Sequence, residues 1–337
     1  MALTPLDANE LAGWAAMEAY PPYGFYRDFE DAACRRYRAR QLGALAGRSD
    51  HAGFKWQGRA GESAAFGLTT LNWDTEQFGT PAGRLDYLIV APDGDSPPAM
   101  DPRDTSANRR LFQVAQAAAR AMTAEADARG IRHLSARVDS RELPVLQALE
   151  SAGFQLVDAI LRFSLDVSAW SGAPPLPAGV RLRDAVESDI EPLARLAHDG
   201  FLYDRFHNDP LLDDGVADRV HAAWLTNAVR GKAGDGVLVA EVDGRPAGFF
   251  ILALDRLAGE LLGTTIGTLV LITIDGTLRR RGVALALSLG SVDWLKERGA
   301  TRFEVGTQLA NVPAANVYLK AGFQLVQTSV SLRRMVG

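Results

Sequence analysis

The sequence has a single cysteine, Cys34, among 337 residues. One thiol excludes an intramolecular disulfide and a thiolate zinc site, so no metal centre is expected, and a reducing, cytoplasmic setting fits. No apolar run approaches the length that crosses a bilayer. Met1 to Gly13 carries acidic and polar residues where a secretory leader has a basic start and an apolar core, so no membrane insertion is expected. A basic excess is missing too: the formal net charge of −5 argues against a general nucleic-acid binder. The familiar nucleotide loops, Gly-x-Gly-x-x-Gly and the Walker Gly-Lys-Ser/Thr, are also absent.

What is present is length for two ordinary domains and a composition typical of globular proteins. Ser171 to Gly179, rich in proline and glycine, reads as a linker between domains at 1–170 and 180–337. Shifted by 169 residues, the chain matches itself. Ala152-Gly153-Phe154-Gln155-Leu156-Val157 falls on the identical Ala321-Gly322-Phe323-Gln324-Leu325-Val326, Pro144 on Pro313, and Arg129-Gly130 on Arg298-Gly299.

The copies differ where chemistry is expected. In the second, a β-branched run, Ile266 to Ile274, leads through Arg279-Arg280-Arg281-Gly282-Val283-Ala284 into a helical pattern ending near Arg298. Taken alone this is a basic turn. Between a strand and a helix it is also an anion site, because unpaired N–H groups and the positive end of the helix dipole meet there. Glycine tolerates positive φ and close approach, and arginines add charged donors. In the first copy the same positions, Arg110 to Ala115, lie inside uninterrupted helical pattern, Leu149 replaces Tyr318, and Glu142 replaces Asn311.

The arginine loop resembles the pyrophosphate loop of the GNAT superfamily of acyl-CoA-dependent N-acetyltransferases. Asn311, Ala314, Ala315, Tyr318, Gly322 and Phe323 are similar to that family's second signature, and the order of elements from Val180 to Gly337 follows the family's order. The resemblance implies an α/β (α+β) architecture of tandem GNAT folds, each a mixed, mostly antiparallel sheet flanked by helices. Only the second is expected to bind and act on acetyl-CoA. It further implies that the diphosphate rests on Arg279 to Ala284, that the pantetheine arm lies between strands Ile266–Ile274 and Arg302–Gln308, and that a backbone N–H near Ile272, Thr273 and Ile274 polarises the thioester. Tyr318 is the expected general acid, and Asn311 either contacts pantetheine or caps the following helix. No base stands out among His207, Asp204 and Glu304.

The acceptor is expected between the second domain's first two helices, at Tyr203, Arg205 and His207, with Trp224, Asn227 and Gln308. The other reading makes this an ordinary loop with Trp224 in the core. Arg205-Phe206-His207-x-Asp209-Pro210, Trp224-x-x-Asn227-x-Val229-Arg230-Gly231, Thr307-Gln308 and Leu71-Asn72-Trp73-Asp74 resemble the TDP-fucosamine acetyltransferase group. That group N-acetylates a nucleotide-linked amino sugar, so a small-molecule amine acceptor is implied. An amino acid or other amine metabolite is the alternative acceptor, and acyl-CoA binding without turnover the alternative activity. The first copy is expected to bind no CoA and to buttress the second or support self-association as a homodimer.

Overall fold

A computed structural model describes residues 2–93, 101, 103–200, 207, 209–212, 214–278 and 280–336. The chain forms two compact units, one of Met1–Ala159 with Thr328–Gly337, the other of Ile160–Gln327. This grouping differs from the division at 171–179 that the linker composition suggests, and two strands explain why.

In the first unit the chain runs β1 (Ala2–Pro5), α1 (Ala8–Met17), α2 (Asp31–Ala46), β2 (His51–Gln57), β3 (Ser63–Thr70), α3 (Asn72–Phe78), β4 (Ala82–Ala91), α4 (Thr105–Ala128), β5 (His133–Asp139) and α5 (Leu143–Ser151), and then enters β6 (Gln155–Asp166). Alternation of side chains along the strands builds two cores. Phe66, Leu68, Leu88 and Val90 face α4 and α5, while Ala65, Tyr87 and Ile89 face α1 and α2. Neighbouring strands are antiparallel except β4 and β5.

The second unit contains β7 (Val180–Asp184), α6 (Ile190–Gly200), α7 (Asp214–Val229), β8 (Gly236–Val242), β9 (Arg245–Asp255), α8 (Arg256–Leu262), β10 (Ile266–Ile274), α9 (Val283–Glu297), β11 (Arg302–Gln308) and α10 (Val312–Lys320), before β12 (Gln324–Met335). The β8–β9 hairpin closes through Asp243 and Gly244, both left-handed, at φ 51° and 76°. Phe250 and Leu252 of β9 face α9, and Phe249 and Ile251 face α6 and α7. Again one neighbouring pair is parallel, β10 with β11.

The exchange concerns the last strand of each half. The strand beside β11 in the second unit is β6, with Ile160 to Asp166 antiparallel to Gln308 to Arg302. In the first unit the strand beside β5 is β12, with Ser329 to Met335 antiparallel to Asp139 to His133. Charged pairs fix both: Arg162 to Glu304 at 2.6 Å and Arg302 to Asp166 at 3.0 Å in the second unit, and a two-pronged Arg334 to Asp127 contact at 2.7 and 2.9 Å in the first.

Helices α3 and α8 are not expected from the sequence. Each has seven residues, too few to show a helical period, and each ends at a left-handed glycine, Gly79 (φ 66°) or Gly263 (φ 69°). A single 3-10 turn, Glu187–Asp189, precedes α6, with Asp189 clamped by Arg183.

Candidate active site

The site is organised by a parting of β10 from β11. Their parallel ladder runs from Ile266 opposite Arg302 to Leu269 opposite Val305 and ends there. The pairing of β10 with β9 shifts between Leu269 and Leu271, leaving Val270 as an extra, bulged residue, and then continues from Leu271 to Ile274. Backbone groups of Val270 to Ile274 on the β11 side therefore leave the ladder. Gly248 permits the tight β9–β10 approach, since a Cβ there would lie 2.7 Å from the Thr273 carbonyl oxygen.

Ile272 and Ile274 pack on the α9–α10 side, in the cluster that buries Val283 and Tyr318. Thr273 points the other way. It is buried, and its hydroxyl donates to the Leu196 carbonyl of α6 at 3.5 Å, so its side chain is taken up on the α6 side.

After β10 the chain turns sharply. The Asp275 carboxylate accepts from the Thr277 N–H at 2.8 Å and hydroxyl at 2.7 Å, and one 3-10 turn, Gly276–Leu278, follows. Arg279 lies outside the described residues. Arg280 and Gly282 are both left-handed, at φ 64° and 81°, and α9 starts at Val283 with no side chain capping it. Its first intrahelical bond runs from the Ala286 N–H to the Gly282 carbonyl, at 2.9 Å. The N–H groups of the first turn thus face outward, with Arg280, Arg281 and Gly282 exposed beside them, Ala284 half-buried, and Val283 anchored in the core. A Cβ on Gly282 would meet only Pro177 Cγ at 3.5 Å, so backbone conformation rather than crowding demands glycine there. An uncapped helix end with adjoining arginines is the donor set a diphosphate needs.

On the next connection Asn311 caps α10, its side-chain oxygen accepting from the Ala314 N–H at 3.2 Å, while its own N–H donates to the Gln308 carbonyl at 2.9 Å. Of the two roles open to Asn311, capping is thus observed. Tyr318 is 2% exposed, with the rings of Phe163 and Phe323 at 5.9 and 6.3 Å. Burial raises its pKa, which keeps the phenol protonated as an acid must be. Phe163 belongs to β6, ahead of the linker, so the sequence reading did not assign it to this site.

On the α6–α7 side the expected acceptor residues are only partly gathered. Tyr203 and Arg205, like Asp204, lie outside the described residues. His207 is half-buried, its ring parallel to that of His221 of α7 at 6.2 Å. Trp224 is half-buried against the core of Leu193, Leu225 and Phe249, and the Asn227 carbonyl accepts from the Lys232 N–H at 2.7 Å to close α7. Gln308 is half-buried at the end of β11. Glu304 is buried and paired with Arg162, which gives this base candidate a structural partner.

Comparison with known proteins bears on the family and the fold. The family model for the acetyltransferase (GNAT) family matches residues 201–323. The dTDP-fucosamine acetyltransferase of Escherichia coli O6:H1 is 28% identical over 202 residues, covering 60% of this chain and 81% of that protein. The aminoglycoside N(6')-acetyltransferase type 1 of Klebsiella aerogenes is 31% identical over 116 residues, 34% of this chain and 76% of that protein. Among solved structures, a tandem GNAT protein from the clavulanic acid biosynthesis pathway shares the fold across 100% of this chain and 98% of its own, with a TM-score of 0.54 at 16% identity. The chain belongs to the GNAT family of acetyltransferases.

Proposed function

We propose that this N-acetyltransferase uses acetyl-CoA and transfers the acetyl group to the amine of a nucleotide-linked amino sugar, at one site in the second unit. The observation that carries the donor half is the uncapped start of α9 at left-handed Gly282, beside the parted strands β10 and β11. In this reading N–H groups at Gly282 to Leu285, with Arg279, Arg280 and Arg281, bind the diphosphate. Backbone at Ile272 to Ile274 donates to the acetyl carbonyl, where negative charge develops. The acceptor nitrogen approaches from the α6–α7 side, past His207, Trp224, Asn227 and Gln308, with Tyr203 and Arg205 on the same connection. Nitrogen forms the C–N bond as the C–S bond breaks. Tyr318 delivers a proton to the departing sulfur, and the proton shed by the amine, relayed through water, restores the phenol. Alignment of the two reactants in one cleft supplies much of the rate.

The amino-sugar acceptor is supported by the 202-residue similarity to a dTDP-fucosamine acetyltransferase. The aminoglycoside acetyltransferase relative favours a broader second reading, in which the acceptor is an amine of another small metabolite. The test is to incubate the full-length chain with acetyl-CoA and a panel of amines that includes dTDP-4-amino-4,6-dideoxygalactose, amino acids and aminoglycosides, and to follow free thiol. Thiol release with the dTDP-sugar alone supports the first reading. Release with another amine alone replaces it by the second. Stabilisation by CoA without release from any amine leaves a protein that binds without turnover.

A further inference from the structure

The exchanged strands keep the same register. Phe163 of β6 sits opposite Val305 and Arg162 opposite Gly306, and at the shift of 169 residues Leu332 of β12 sits opposite Ala136 and Ser331 opposite Arg137. Each unit thus has one pair of equivalent positions on its incoming strand and another on its own elements. In the second unit, incoming Arg162 and Phe163 meet Glu304 and Tyr318. In the first, the equivalents are Ser331 and Leu332 on the incoming strand, with Ser135 and Leu149 waiting for them. Both members of each set differ between units together. In the first unit Leu332 shares the core with Leu149 and Ser331 accepts from the Arg137 guanidinium at 3.4 Å, whereas Arg162 and Phe163, encoded in the half that lacks the tyrosine, meet Glu304 and Tyr318.

The Tyr318 ring is held at two edges, by Phe323 from the turn after α10 and by Phe163 from the sheet. A buried phenol aimed at a leaving group needs both its depth and its tilt fixed, and tilted aromatic pairs at these separations supply orientation. Phe323 has an equivalent in the first unit, Phe154, where no tyrosine needs orienting. Phe163 has none, since Leu332 stands in its place.

We infer that Phe163, contributed by the strand that the first half lends to the second unit, is a positioning residue that sets the tilt of Tyr318 for proton delivery. This rests on Tyr318 being the acid, as proposed above. The first half is on this view a supplier of part of the active site and not only a scaffold.

The experiment compares the full chain with Phe163→Leu, which copies the first unit, with Tyr318→Phe, and with the double variant. kcat, KM for acetyl-CoA and Tm are measured with the amine identified above. Phe163→Leu is expected to lower kcat by roughly tenfold, as small misplacements of reacting groups do, with KM for acetyl-CoA within about twofold. In the Tyr318→Phe background the same substitution is expected to do almost nothing, because the group it positions is gone. A full, multiplicative loss in that background, or unchanged kcat in the single variant, overturns the inference and leaves the acid assignment standing. A Tyr318→Phe chain with parental turnover overturns both.

Phe163→Met replaces Phe163→Leu if the latter does not melt cooperatively. The contact is also read without an acceptor, in chain labelled with ring-13C tyrosine. The Tyr318 signal, identified by its loss in Tyr318→Phe, moves in Phe163→Leu; an unmoved signal overturns the inference.

Discussion

Helices α4 and α9 begin in opposite ways although they occupy the same place in the repeat. At α4 the Asp104 carboxylate accepts from the Ser106 and Ala107 N–H groups, at 3.1 and 3.0 Å, and those bonds hold its pKa below the usual carboxylate range. At α9 the corresponding place is left-handed Gly282, with no side-chain cap. The first unit thus carries its own anion at the positive end of the helix, and the second has no side chain there. The connections differ in length as well. From β4 to β5 the chain travels 15 residues further than from β10 to β11, because the repeat offset is 184 at α3 and α8 and 169 at β5 and β11. Part of that excess lengthens α4 to 24 residues, against 15 in α9, and removes the glycine turn. The two units therefore differ in loop and cap while sharing the parted strands: β4 and β5 also pair over only four residues, Ala82 to Leu85 with His133 to Ala136, beside a bulge.

The sharpest way to break this comparison is to separate the halves at the linker. A fragment of residues 171–337 lacks β6 and with it the partner of β11, so it is expected not to melt cooperatively, as followed by circular dichroism. A cooperative, CoA-binding fragment would show that β6 is dispensable. Next in size, Gly282→Asp gives α9 the carboxylate that α4 has and forces a side chain onto a left-handed backbone. Acetyl-CoA affinity is expected to fall roughly a hundredfold or more, since like charges in contact cost several kcal/mol. Calorimetric titration that finds unchanged affinity places the diphosphate elsewhere.

Tyr318→Phe is expected to lower kcat about a hundredfold, the scale of a lost acid, with acetyl-CoA affinity nearly unchanged. Turnover at the parental rate removes Tyr318 from the chemistry.

The smallest effect concerns Glu142, which occupies the place of Asn311. It precedes α5 without making a side-chain cap, and burial, with Glu18 and Asp139 nearby, pushes its pKa up to about 8. The folded state therefore keeps a proton that the unfolded chain releases. Stability from this group is present below the ordinary carboxylate pKa and is lost as pH rises toward about 8. Glu142→Gln is expected to raise Tm by a few degrees at pH 9 and by much less at pH 4. Equal shifts at both would sink the assignment.

Much of the second unit was legible because its signals are local. Strands Ile266–Ile274 and Arg302–Gln308 start and stop where the β-branched and apolar patterns do, and the arginine loop announces itself by Gly282. The exchange of β6 and β12 was not legible for a physical reason. Both begin inside the same hexapeptide and alternate alike, so local pattern does not assign either strand to a sheet, and only long-range pairing decides between them. Trp224 illustrates the other limit. A tryptophan at helical spacing has one appearance in sequence whether it fills a core or edges a site, and here it packs on the core while remaining half-buried.

The exchanged strands also bear on why two such units remain on one polypeptide. Arg162 and Glu304 meet across 142 residues of chain. As separate proteins the halves would have to find each other by diffusion, and each would display an unsatisfied sheet edge while it searched. Covalent linkage turns that search into an intramolecular one at a high effective concentration. A gene break at the linker is therefore expected to be selected against, since each product lacks the strand that pairs with its β5 or β11 in the intact chain.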